Sequence, residues 1–251
     1  MPQIEDRVQR SFSRSFSSYH AAADQQVRIA DLLVHQLRNN GAPRYFASAL
    51  ELGCGTGHLT KRLQDGFSFG LLTLNDLAPE ARQTAHAASA RFLGGDARQV
   101  AWPERPQLIA SASMIQWLRD PLDLLRKAAT ALAPGGWLAV SGFGPDQYCE
   151  LTRLGSSAGA PGLCRAADLA AAVRHELKVV ATGETHHRAR FDSPRDVLDH
   201  MRKTGVNGQA RQTWTKTRLA QFCADYTRMF QDQAGLPLTY HAVWFIARKC
   251  G

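Results

Sequence analysis

The chain has 251 residues, 44% of them hydrophobic, which excludes a disordered chain and suits one α/β domain with an elaboration rather than two full domains. Thirty Lys and Arg against 22 Asp and Glu give a net charge of +8, which points either to an anionic partner or to a basic surface with none. The first residues lack an apolar signal core and no stretch reaches membrane-span length, so a soluble cytoplasmic protein is expected; five scattered cysteines (Cys54, Cys149, Cys164, Cys223 and Cys250) predict free thiols, with neither a disulfide framework nor a zinc site.

The first 40 residues read as helix, with Ile29, Leu32, Leu33 and Leu37 at helical spacing and Gly41-Ala42-Pro43 as the stop. Short strands and helices then alternate. Strands are expected at 46–52, 70–75, 91–93, 108–113 and 137–142, and helices at 57–64, 79–89 and 121–132. Strands separated by helices indicate βαβ units in a doubly wound, mostly parallel sheet. Beyond Gly144 helices are expected at 147–154, 166–175, 194–204 and 217–233, with a strand at 178–185. The β-rich run 238–248 reads as an edge strand. This half is expected to finish the sheet and to lay a helical insertion over its carboxyl edge, where ligands of open α/β sheets sit.

The loop Glu51-Leu52-Gly53-Cys54-Gly55-Thr56-Gly57 follows one predicted strand and opens a helix. Its glycines let the backbone turn sharply and approach a ligand, and a helix N-terminus offers N–H groups. The spacing is G-x-G-x-G, not the G-x-G-x-x-G of dinucleotide sites. Glu51, at the strand's end, repels a pyrophosphate but suits S-adenosylmethionine, whose ammonium and sulfonium are positive. Asp76 ends the second strand, where it either accepts ribose hydroxyls or caps the turn before Pro79. Asp96 and Ala97 follow the third strand and either read an adenine edge or form a turn.

With these residues the chain resembles the class I methyltransferase superfamily and, more narrowly, the malonyl-acyl-carrier-protein O-methyltransferases of biotin synthesis. The likeness runs nearly end to end. It includes Phe12-Ser13-Arg14, Tyr19, Ala23 and Gln26, then the loop from Glu51 to Gly57, Asp76-Leu77-Ala78-Pro79 and Gly94-Gly95-Asp96. Ser111-Ala112-Ser113-Met114-Ile115-Gln116-Trp117, Glu150-Leu151, Met201-Arg202-Lys203-Thr204-Gly205 and Pro237-Leu238-Thr239-Tyr240 complete it. The Gln-Trp pair and the terminal Leu-Thr-Tyr are the more specific marks. Ala112 departs from the family's usual Asn, His20 from the acid that often follows the Tyr, and Arg202 from a common Lys.

The resemblance implies a seven-stranded, Rossmann-like sheet in a single domain. Residues 1–42 would be a helical lid, 43–144 the cofactor core and 145–251 the substrate side. It implies S-adenosylmethionine held by Glu51, Gly53, Cys54, Gly55, Gly57, Asp76, Leu77, Asp96, Ala97 and Ser111, and no metal. The implied partner is an acidic acyl carrier protein bearing malonyl, met by a monomer without nucleic acid or membrane. A carboxylate acceptor is ionised at neutral pH and needs no general base, which agrees with the lack of a catalytic dyad in the sequence. Tyr19 reads as a lid residue or as helix packing, and Gln116 and Trp117 as pocket lining, with core the alternative for Trp117. A cation for the acceptor comes from Arg188, Arg190, Arg202 or Lys203. The run His186-His187-Arg188-Ala189-Arg190 reads as a solvated strand face rather than a metal or nucleic-acid patch. Rival readings are a methyltransferase of another small acid or thioester, a nucleic-acid methyltransferase, and a non-catalytic assembly factor of the same fold.

Overall fold

The computed structural model describes residues 24–156, 159–203 and 215–251. Its first described helix, α1 (Asp24–Asn39), buries Ile29, Ala30, Leu33, Val34 and Leu37 along one stripe. It ends where Gly41 adopts φ +87° and Ala42 N–H reaches back to the Leu37 carbonyl, at 3.1 Å. The alternation then runs β1 (Tyr45–Leu52), α2 (His58–Gly66), β2 (Ser68–Asp76), α3 (Arg82–Ala87), β3 (Arg91–Gly94), β4 (Leu108–Ser111), α4 (Pro121–Ala131) and β5 (Trp137–Phe143). Asp120 caps α4, accepting from Asp123 N–H, with Pro121 pre-set at its first position. The second half adds α5 (Cys149–Arg153), α6 (Ala166–Ala171), β6 (Leu177–Phe191), α7 (Pro194–Lys203), α8 (Lys216–Phe230) and β7 (Leu236–Lys249).

The seven strands lie in the order β3-β2-β1-β4-β5-β7-β6. The first five are parallel, and β7 runs antiparallel to both its neighbours. Side chains alternate between two cores with the strand period of two. Leu50, Ile109, Leu138 and Val140 face α4 and α6, while Ala49, Leu108, Ala110 and Ala139 face α1, α2 and α3. This is the doubly wound arrangement expected from the sequence.

Several expectations change. The helices expected at 147–154 and 166–175 shorten to Cys149–Arg153 and Ala166–Ala171, the strand expected at 108–113 stops at Ser111, and the helix expected over 79–89 opens with a 3-10 turn at Pro79–Ala81. Of the helix expected over the first 40 residues, 1–23 lie outside the described residues. The run 238–248 is no edge strand: β7 lies inside the sheet between β5 and β6, and nearly all of it is buried. The strand expected at 178–185 extends to Phe191, because its polar end pairs residue by residue with β7. The last β5–β7 pair is Phe143 with Ala242, so Leu236 to His241 pair with β6 alone. A two-stranded ribbon thus projects past the carboxyl ends of β1, β4 and β5. Its apolar residues Leu236, Leu238 and Tyr240 join Val197, Met201 and Tyr226 of α7 and α8 in a third core. No described helix is long and apolar enough to cross a membrane. All five cysteines are free thiols.

Candidate active site

Glu51 lies one residue before the end of β1 in its buried part, 1% exposed. Its Oε2 accepts from Thr60 Oγ1 of α2 at 2.8 Å, and its Oε1 is buried with no hydrogen-bond partner. Burial, partly opposed by the Thr60 bond, pushes the carboxyl up from 4.5 to about 8. A buried carboxyl with a vacant acceptor is costly unless a donor or cation meets it. This fits an ammonium group and disfavours a phosphate.

The loop behind it is fixed from β2. Asn75 O accepts from Gly53 N–H at 2.9 Å and Cys54 N–H at 3.0 Å, and Gly57 N–H closes onto Cys54 O at 2.9 Å. Gly53 has φ +72°, and a Cβ there falls 2.3 Å from Met114 Cγ, so only glycine fits. Gly55, at φ +48°, faces open space where a Cβ would be. The Cys54 thiol is raised by burial and then by the Glu51 and Asp76 carboxylates, so it is no nucleophile at neutral pH.

Asp76 uses both oxygens locally. Oδ2 accepts from Gly55 N–H and Oδ1 from Ala78 N–H, each at 2.8 Å. Burial still raises its pKa against those bonds. Leu77 beside it is exposed. Asn75 Nδ2 donates to the carbonyls of Leu93 and Gly95, at 2.8 and 2.9 Å, tying the end of β3 to β2. Asp96 carries a bidentate Arg98 guanidinium, with Nε 3.0 Å from Oδ1, and that pairing lowers its pKa. Ala97 is buried, and its carbonyl accepts from Trp102 Nε1 and Lys127 Nζ. Ser111 spends its hydroxyl on Leu52 O, at 2.9 Å, bracing β4 against the end of β1.

Past the carboxyl end of β4, Gln116 is buried and donates to Ser113 O, while its Oε1 has no hydrogen-bond partner. The hydroxyls of Ser113 and Ser141 are likewise buried and unpaired. The carboxyl ends of β4 and β5 thus hold three unpaired polar atoms. Trp117 packs against the third core. Tyr19 lies outside the described residues.

Three of the four candidate cations have acid partners. Arg190 meets Asp232 at 2.6 Å, and Arg202 and Lys203 share Asp199, at 2.6 and 2.7 Å, whose carboxyl they lower to about 2. Arg188 is exposed and has no ion pair among the described residues. Sequence reasoning missed Thr60, Asn75 and Thr84, whose Oγ1 donates to Gly55 O at 2.7 Å. A buried-strand Asn and a Thr one turn into the following helix were the available signals.

The methyltransferase-domain family model matches residues 21–209. A malonyl-acyl-carrier-protein O-methyltransferase of Bacteroides thetaiotaomicron is 32% identical, the match covering 96% of this chain and 97% of that one. One from Chlorobium luteolum is also 32% identical, over 96% and 94%. The chain belongs to this methyltransferase family. A putative methyltransferase of Bacillus halodurans shares the fold, with TM-score 0.62 at 15% identity over 87% of this chain and 99% of that one. So does an N-methyltransferase of Bradyrhizobium japonicum solved with S-adenosyl-L-homocysteine, with TM-score 0.52 at 14% identity over 92% and 98%.

The family marks of this methyltransferase meet in space. Glu150 accepts from Thr239 N–H at 2.9 Å and from Thr239 Oγ1 at 2.5 Å, joining two marks 89 residues apart. Met201 and Leu238 share the third core. Tyr240 OH lies 2.5 Å from His200 Nε2.

Proposed function

We propose that this methyltransferase moves a methyl group from S-adenosylmethionine to the free carboxylate of malonyl-acyl carrier protein, giving the methyl ester that primes pimeloyl synthesis for biotin. The observation that carries the donor half is the unpaired, buried oxygen of Glu51 behind a glycine loop. The acceptor half is supported by near full-length likeness to chains of that name.

When bound, the cofactor supplies a methyl on positive sulfur, electrophilic enough for a carboxylate. In this reading Glu51 takes the ammonium, and the backbone of Gly53, Cys54, Gly55 and Gly57 lies along the methionine portion. Asp76 faces the ribose, held in place by its two amide bonds, with Leu77 as the apolar flank. Asp96 and Ala97 edge the adenine, and Ser111 fixes the strand end beneath. Gln116 and Trp117 line the acceptor side, and the malonyl carboxylate pairs with a cation. Among the four candidates Arg188 is favoured, because it makes no ion pair among the described residues and feels Asp232 only at longer range. The site's task is to desolvate the anion and aim it in line with sulfur, without abstracting a proton.

The test is genetic. The chain should restore growth without biotin to an auxotroph lacking its malonyl methyltransferase, and Glu51→Ala should not. Failure of the well-expressed, soluble wild-type chain to rescue would overturn the reading.

A further inference from the structure

Outside the active site, a cluster of ligand-type side chains gathers where the ribbon leaves the sheet. His186 of β6 and His241 of β7 are paired across the strands, and their rings stack with centroids 4.1 Å apart. Asp146 reaches them from the turn after β5: its Oδ2 lies 3.1 Å from His186 Nε2 and 3.6 Å from His241 Nδ1. The three ligand atoms lie within 4.8 Å of one another.

We infer that Asp146, His186 and His241 bind one divalent transition-metal ion of the zinc class. Ligands about 2.0–2.1 Å from a tetrahedral ion stand roughly 3.3 Å apart, close to the 3.1 and 3.6 Å from Asp146 Oδ2 to the two ring nitrogens. The stacked rings direct their lone pairs side by side, so the half-exposed His186 ring turns out of the stack toward the buried His241 when the ion binds. Two imidazoles and a carboxylate suit zinc, nickel or copper rather than calcium or magnesium.

The surroundings resemble a support built for such a site. His241 is fully buried, and its Nε2 lies 3.0 Å from Glu184 Oε2. That carboxylate accepts a hydrogen bond from His241 Nε2–H and so leaves the Nδ1 lone pair facing Asp146, as outer carboxylates do for metal-bound histidines. The other Glu184 oxygen accepts from Ala166 N–H at 2.8 Å, and Arg165 lies 3.8 Å from Oε2, so the carboxylate is held on three sides. The His241 main chain is pinned too, its N–H by Gln147 Oε1 and its carbonyl by Gly144 N–H, each at 2.8 Å. Gly144 makes room for the ring: a Cβ there falls 2.4 Å from Cε1 and 2.5 Å from Nδ1. Asp146 N–H lies 3.2 Å from Nδ1, and an ion displaces that contact.

Asp146 and His186 are about half exposed, 51% and 47%, so water completes the coordination and the ion exchanges with solvent. The sites of β5, β6 and β7 joined here lie far apart in sequence, so the ion fastens the turn leading into α5 to the ribbon.

The full chain, free of any affinity tag and stripped with a chelator, is titrated with Co2+ and then Zn2+. One ion per chain is expected, with cobalt ligand-field absorption and no sulfur charge-transfer band, which separates this site from the five cysteines. His186→Ala and Asp146→Asn should each weaken binding by at least about tenfold, and Glu184→Gln by roughly 10–100-fold. His186 is half exposed, so its variant should keep the metal-free melting temperature; if it does not fold, Asp146→Asn decides. No saturable binding by the wild-type chain, or the same affinity in the folded variants, overturns the inference.

Discussion

Glu51 combines complete burial with one unpaired oxygen, and its titration reports on both. Its folded-state value of about 8 lies above the ordinary 4.5. Between those values the folded chain holds the proton and the unfolded chain has lost it. Stability without cofactor therefore falls as pH rises from 4.5 to about 8, by up to roughly 1.4 kcal/mol per pH unit from this group, and levels off above. Glu51→Gln keeps the shape and an acceptor for Thr60 and should flatten that part of the profile. Denaturant unfolding across this range checks it; an unchanged slope in the variant would contradict the burial argument. Glu51, the glycines and Asp76 were legible in the sequence because each acts at its own strand end. Thr60 and Thr84 were overlooked: Thr60, one turn into the helix the loop opens, reaches back to Glu51, and Thr84 becomes meaningful only when α3 packs against the loop. Asp96 was legible as a strand-end acid, but its pairing with Arg98 two residues on was overlooked.

At the scale of elements, β7 and α5 hold each other. Glu150 is buried, and its carboxylate is satisfied by the Thr239 N–H and hydroxyl. Thr239→Val keeps the volume and leaves Glu150 short of one bond. A loss of about 2 kcal/mol is expected for a buried carboxyl oxygen left unpaired, and the melting temperature should fall by roughly 4–8 °C. Unchanged thermal unfolding of Thr239→Val would place that bond outside the energetics of the fold. The same strand shows why the edge-strand expectation failed. Pro237 sits at the strand's start, where a missing N–H is tolerated, so it does not force the strand to an edge. The better signal was continuous apolarity from Val243 to Ala247, which marks a strand buried on both faces. The polar run after Thr185 gave no strand signal of its own; a 14-residue ladder with β7 carries it.

For the whole molecule, strand–helix alternation made the doubly wound sheet readable, because each βαβ unit is local in sequence. The acceptor side was less so, since Glu150 with Thr239 and Asp146 with His186 and His241 are juxtaposed by the ribbon. The +8 charge belongs to this scale: in the proposed reaction an acidic carrier protein would be drawn to a basic surface, and salt would screen the attraction. The most direct measurement is mass spectrometry of malonyl-acyl carrier protein incubated with the chain and S-adenosylmethionine at low and high ionic strength. One added CH2 on the malonyl group, base-labile as an ester and formed with higher kcat/KM at low salt, is the expected result. Carrier protein whose malonyl mass stays unchanged at every salt concentration would contradict the central claim.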